Sequence, residues 1–293
     1  MKIINKNKIK SKKDVIFRVL KVVVVALVLV ASVIIVKDEI LWQFGVEGST
    51  EDVDYEENEE NNCNTVGVTV YGGLVTYISP ENFDEEGNVL VDQTSSDDIA
   101  FLISQADKDE SIKAIILEVD SYGGSALAGE EISKALKLAK KPTVALIRDY
   151  GVSAGYWAAT GADRIFASEN SDVGSIGATM SYLDNVKQNQ KEGFTYNQLS
   201  SGKFKDTGDP NKPLTDEEVN LLMRDVKIMQ QNFIKAVAIN RNLDVSKVEG
   251  LSDGSSMLGK MALENGLIDQ VGGMEEVKDY LKEKIGEEIE ICW

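Results

Sequence analysis

The chain has 293 residues, is 43% hydrophobic, and contains 24 Gly, 4 Pro and no histidine. That length accommodates one sizeable α/β domain with extra segments. The missing histidine excludes Ser-His-Asp and Cys-His catalysis and any His-ligated metal, while two cysteines, Cys63 and Cys292, are too few for a four-cysteine site. The net charge of −18 is uneven: residues 1–21 hold eight Lys/Arg against Asp14 alone, leaving 23 basic and 48 acidic residues in a body that repels nucleic acid.

The first element is "VVVVALVLVASVIIV", residues 22–36. As a helix it spans about 22 Å, short of a hydrocarbon core of about 30 Å. Ile16, Phe17, Val19 and Leu20 extend it on one side, and Ile40, Leu41 and Trp42 on the other. Residues 15–42 are therefore expected to form a transmembrane signal anchor. The basic tail, residues 1–14, is expected to stay cytoplasmic, with the body outside the cell membrane. No small-residue cleavage site follows closely, which favours an uncleaved anchor over a cleaved signal peptide. Residues 43–65 are acidic and poor in aliphatic side chains, and read as a flexible tether.

From Val66 the pattern becomes globular. "VGVTVYGGLVTYI" (66–78) is strand-like with a Gly-Gly break, and residues 95–110 read as a capped helix. "IKAIILEV" (112–119) is a buried strand followed by the turn "DSYGGS". Residues 126–141 form a helix with Ile132, Ala135, Leu136 and Ala139 on one face. "PTVALI" (142–147) is a strand, a small-residue helix starts near Val152, and "DRIFAS" (163–168) is another strand. This βαβ succession predicts an α/β fold with a mainly parallel sheet. Further on, residues 173–182 read as a strand edge or loop, and "FTYNQL" (194–199) as strand-like. Thr215-x-x-Glu218 is a capping box that opens a long helix. On it Val219, Leu222, Val226, Met229, Phe233 and Val237 recur at core spacing.

Two turns carry candidate chemistry. The adjacent glycines Gly123 and Gly124 let the backbone approach a ligand, with amides able to hold an oxyanion; a plain tight turn is the alternative. Ser153 lies at a strand-to-helix step beside the amide of Ala154, where a nucleophile gains an oxyanion donor. Serine is also a common N-cap. Both turns open on the carboxyl edge of a parallel sheet. Without histidine, the base for a serine must be a carboxylate or a lysine, and the polar loop 200–213 holds Lys203, Lys205 and Lys212. A solvated lysine, with a pKa near 10.4, is no base at neutral pH, but burial disfavours the ammonium.

Five stretches in order resemble the signal peptide peptidase A family, the S49 serine peptidases of the ClpP/crotonase superfamily. They are "DSYGGS", "GVSAGYWAATGADRIFA", "GSIGA" (174–178), "SGKFKD" (201–206) and "LSDGSSMLGKMALENGLIDQVGG". The likeness is to the family's short, single-unit form and implies a ClpP/crotonase-like peptidase domain over residues 66–293. It implies Ser153 as nucleophile and Lys205 as general base, with backbone amides of Gly124 and Ala154 at the oxyanion. Gly123, Gly174, Ser175, Ile176 and Gly177 would lie along the substrate groove. It further implies no cofactor, no metal, a homo-oligomer, and substrates such as released signal peptides or other extended apolar segments. Tyr122 stands where the family usually has Pro, and Ala154 where Gly is common. Asp206 beside Lys205 would oppose an unprotonated lysine unless an extended backbone turns the two side chains apart. Whether Lys205 meets the serine of its own chain or of a neighbour is open in the sequence. Two other readings are an inactive oligomeric membrane scaffold with the same fold and a crotonase-type acyl-CoA enzyme.

Overall fold

The computed structural model describes residues 63–84 and 90–293. The expected basic tail, the anchor and the tether up to residue 62 lie outside the described residues. From Thr65 the alternating run TVGVTVYGGLV forms β1 (Thr65–Val75), its β-branched side chains suiting a pleated, half-buried surface. Then come β2 (Gln93–Ser95), α1 (Ser96–Lys108), β3 (Ala114–Gly124), α2 (Ala126–Leu138), β4 (Thr143–Val152), α3 (Ala154–Ala159), β5 (Arg164–Ala167) and β6 (Asp172–Gly174). The later part contributes α4 (Val186–Glu192), α5 (Asp216–Arg241), α6 (Val245–Glu249), β7 (Ser256–Leu258), α7 (Gly259–Asn265), β8 (Gln270–Val271), α8 (Met274–Ile285) and β9 (Ile291–Cys292). Serines cap the first two helices: Ser95 Oγ accepts from Asp98 N–H at 3.2 Å, and Ser125 Oγ from Ala128 N–H at 3.4 Å.

The sheet runs β2-β1-β3-β4-β5-β8, and every neighbouring pair in that path is parallel. The βαβ reading of the sequence therefore holds. β6 lies parallel to the far end of β4, and β7 pairs antiparallel with β6. Period-two alternation splits the sheet between two cores. Ile115, Leu117 and Val119 of β3 join Ile132, Leu136, Trp157, Phe233 and Val237 on the larger side. Ala114, Ile116, Val144, Leu146 and Phe166 meet Val277 and Leu281 of α8 on the other. Burying each large aliphatic side chain contributes about 1.5–3 kcal/mol.

Three local expectations change. "DSYGGS" is not a turn outside the sheet: β3 continues to Gly124. Both of its ladders shift register nearby, between Tyr71 and Gly73 and between Val119 and Ser121. Positive φ at Gly72 (65°), Gly123 (97°) and Gly124 (146°) makes this bulged strand end possible. "FTYNQL" forms no strand, and none of its residues is buried. On α5 the apolar stripe buries Val226, Phe233 and Val237, but Val219 is 41% exposed and Met229 only half-buried.

Cys63 and Cys292 form a disulfide with Cα atoms 5.7 Å apart, a pairing the sequence leaves open. It joins the entry of β1 to β9, which runs parallel to β1 over Thr65 and Val66. Trp293 then lies over Gly67, where a Cβ would come within 2.4 Å of the indole.

Candidate active site

β4 passes directly into α3 through Ser153, whose φ of 53° and ψ of −129° are unusual for a residue with a side chain. Such a conformation costs on the order of 1–3 kcal/mol and persists where the surroundings impose it. Here the Ser153 N–H donates to Gly174 O at 2.8 Å, and its carbonyl accepts from Trp157 N–H at 3.0 Å. The Ser153 side chain makes no capping bond to α3. The capping alternative thus does not describe this serine.

Small residues bring α3 against its neighbours. A Cβ on Gly155 would lie 2.9 Å from Ser121 O, one on Gly129 2.6 Å from Ala154 O, and one on Gly161 2.1 Å from Ser133 O. The buried Tyr156 hydroxyl donates to Leu267 O at 2.8 Å, and burial pushes its pKa well above the usual phenol value. The glycine step of β3 approaches from the other side. A Cβ on Gly123 would come within 2.7 Å of Ser153 Cβ and 3.0 Å of its Oγ. Buried Ser121 holds this step: its Oγ donates to Gly72 O at 2.6 Å and accepts from Gly123 N–H at 3.1 Å.

Ser153 opens on a cavity of about 420 Å³ that also contacts Gly124, Ala154, Ser175 and Gly177. Four of the sequence-designated groups thus share one cavity with the serine. Ile176 is fully buried in the core, while Gly174 supports Ser153 through its carbonyl and Gly123 lies against the serine side chain. Ser175, at φ 49°, ties the groove to the segment after α6: its N–H donates to Ser255 O and its Oγ to Gly254 O. The cavity wall also includes Trp157, Met229, Phe233, Ser252, Asp253 and Gly254, which sequence reasoning did not assign to the site. Trp157 and Phe233 stack with centroids 4.8 Å apart and planes within 6°. Met229 and Phe233 sit four residues apart on α5, a spacing that serves core and groove alike.

Lys205 is exposed and does not line this cavity. Its segment is a succession of turns rather than an extended run: Lys205 N–H donates to Gly202 O and Thr207 N–H to Phe204 O. Asp206 accepts from the Tyr196 hydroxyl at 3.1 Å, and partial desolvation of the half-buried ring together with that carboxylate pushes the phenol up to about 12. Lys203 pairs with Glu217 and Lys212 with Glu218. Of the three loop lysines, Lys205 alone is in no ion pair among the described residues.

Glu218 holds this loop to α5. It accepts from Lys212 Nζ at 2.5 Å and, at 2.9 Å each, from the N–H and hydroxyl of Thr215. The Lys212 bond, followed by the Thr215 backbone bond, lowers the Glu218 pKa from 4.5 to about 2. Because the folded-state value is depressed, its stabilising contribution is full above the unfolded value and is lost as pH falls from about 4.5 toward 2. Wild-type stability is expected to decline across this window more steeply than that of Glu218→Gln, as measured by urea unfolding at stepped pH.

Residues 135–287 match the model of peptidase family S49, and the chain belongs to that family. A protein of Enterococcus faecium with the provisional name signal peptide peptidase SppA is 34% identical over 185 residues, covering 62% of this chain and 54% of that one. The chloroplastic serine protease SPPA of Arabidopsis thaliana is 34% identical over 175 residues, covering 59% of this chain and 26% of its own length. Protease 4 of Haemophilus influenzae is 27% identical over 216 residues, or 73% of this chain and 35% of that protein. The match with the Enterococcus protein thus spans about half of that relative's length. Among solved structures, a ClpP1 mutant of Listeria monocytogenes aligns with a TM-score of 0.45 at 13% identity, covering 72% of this chain and 92% of that one.

Proposed function

We propose that this chain is a membrane-anchored serine endopeptidase that uses Ser153 as nucleophile and Lys205 as general base. The observation that carries the reading is the conformation of Ser153: a non-glycine residue at positive φ, with its side chain uncommitted to the helix, beside a cavity. Strain of this kind concentrates at functional sites. Amides of Gly124 and Ala154 would stabilise the oxyanion as Ser153 attacks an extended peptide, and a donor of this kind is worth about 10²–10³ in rate. The amine product leaves with the proton, and water then resolves the acyl-enzyme.

Among the described residues the cavity wall holds no lysine, and Lys205 faces solvent in the single chain. These facts favour a homo-oligomer in which Lys205 of one copy enters the Ser153 cavity of another. An amine enclosed there is disfavoured as the ammonium, which frees it to take the hydroxyl proton. The substrates would be signal peptides or other extended apolar segments near the bilayer. The disulfide supports a domain on the oxidising, extracytoplasmic side of the membrane.

The test is hydrolysis of a panel of short apolar peptides by the full chain in detergent. Wild type is expected to cleave with a rate that rises with pH, and Ser153→Ala to lose at least about 10³-fold in kcat/KM. Equal rates for the two proteins would end the serine-peptidase reading and bring the scaffold reading forward.

A further inference from the structure

Among the described residues that line the Ser153 cavity, Asp253 alone carries an ionisable acid or base. The rest of the wall is uncharged: Gln230, Thr179, Ser175 and Ser252 are polar, and the Trp157–Phe233 stack with Met229 forms its apolar bulk. Asp253 is exposed, and its position is fixed from several sides. Its Oδ1 accepts from Ser255 N–H at 2.9 Å and from Ser255 Oγ at 2.6 Å. The preceding Ser252 carbonyl accepts from Gln230 Nε2 at 2.9 Å, and Gly254 turns the chain at φ 89°. Across the cavity, Ser175 binds the same turn through Gly254 O and Ser255 O. Both contacts to the Asp253 carboxylate use one oxygen, and no ion pair involves it among the described residues. The hydrogen bonds from Ser255 also hold its pKa below the usual aspartate value, so the group is an anion at neutral pH.

We propose that Asp253 is a specificity-determining residue, selecting peptides that present a Lys or Arg beside the apolar residue seated in the Ser153 cavity. This deepens the peptidase reading and rests on it. A positioned carboxylate without an ion-pair partner, in the same cavity as Trp157, Phe233 and Met229, attracts a cation and repels a second carboxylate. The apolar bulk of Trp157, Phe233 and Met229 with one fixed anion thus matches a junction between basic and apolar sequence. Such a junction occurs where the charged start of a targeting peptide meets its apolar run. The strongly acidic body acts in the same direction, but only as a diffuse field.

The experiment compares peptides identical except for Lys, Gln or Glu beside one Leu, using full-length wild type and Asp253→Asn. Two readouts are taken: kcat/KM for hydrolysis, and binding of the labelled peptides to Ser153→Ala and to Ser153→Ala with Asp253→Asn. Asparagine keeps the carbonyl that accepts from Ser255, so the turn survives the substitution. The expected Lys-over-Glu preference is about fivefold or more at low salt. It should shrink as ionic strength rises toward ~1 M and fall toward unity in Asp253→Asn. Hydrolysis with no charge preference, or a preference unchanged in Asp253→Asn, would overturn the assignment while leaving the peptidase reading intact. Binding that shows the Asp253-dependent preference without any hydrolysis by wild type would keep the charge selection and remove the peptidase.

Discussion

Full-length Ser153→Ala and Lys205→Ala proteins are each expected to be inactive, yet to regain activity when the two are co-expressed and assembled together. The expectation follows from the separation of the two groups in the single chain. Ser153 lies in a cavity to whose wall the described residues supply no lysine, and Lys205 projects from an exposed turn. If each working site takes its serine from one copy and its lysine from a neighbour, a random equal mixture contains intact sites. One neighbouring pair in four combines the serine of a Lys205→Ala chain with the lysine of a Ser153→Ala chain. Activity should return to about a quarter of wild type, as a head-to-tail ring with independent sites requires. If the loop instead folds back so that both groups come from one chain, every site in the mixture lacks one group, and activity stays at the level of the single variants. The same comparison with Lys203→Ala or Lys212→Ala serves as a control. Those lysines are paired with Glu217 and Glu218, and their loss should act on the loop rather than abolish turnover.

The parallel sheet was legible because its signals are local. β-branched strands alternate with capped helices, and short connections leave few topologies. Ser153 could be singled out from its strand-to-helix position and small-residue surroundings. The positive φ that sets Ser153 apart from a side-chain N-cap could not, since the Ser153 N–H is held by Gly174 O, a tertiary hydrogen bond to a residue 21 positions further on. The cavity wall was hidden for a related reason. Met229 and Phe233 obey the same helical period as the core residues Val226 and Val237, and only packing decides which of them faces a groove. Asp253 belongs to a polar stretch distant in sequence from Ser153, and reaches the cavity through the Ser175–Gly254 and Ser175–Ser255 contacts. The alternation argument for Lys205 and Asp206 failed because the segment is a chain of turns, closed by the Lys205 N–H to Gly202 O and Thr207 N–H to Phe204 O bonds and followed by Gly208 at φ 85°, in which Asp206 engages Tyr196. A two-residue period has no meaning there.

Removing the disulfide, by Cys63→Ser with Cys292→Ser, is expected to produce the largest loss of stability among the substitutions considered. The bridge closes a loop with a sequence separation of 229, so it restricts almost the whole described domain when unfolded. Chain entropy for a loop of that size predicts about 5 kcal/mol, and measured bridges commonly give about 2–4 kcal/mol. For a domain of this size the unfolding midpoint should fall by roughly 10 °C. The native fold need not be lost, because β9 keeps other holds on β1: Glu290 O accepts from the N–H groups of Asn64 and Thr65, and Glu288 O from the Asn64 side chain. The loss should therefore appear as faster amide exchange in β9 and a lower midpoint, with the β3–β4 core exchanging only on global unfolding. Dithiothreitol should lower the wild-type midpoint by a similar amount and leave the double variant unchanged. The same bridge reports on compartment. Thiol alkylation in intact cells, before denaturation, should leave both cysteines unlabelled if the domain lies outside the cytoplasm. Labelling of both in wild-type cells would place the domain in a reducing compartment and sink the outward orientation inferred from the basic N-terminal tail.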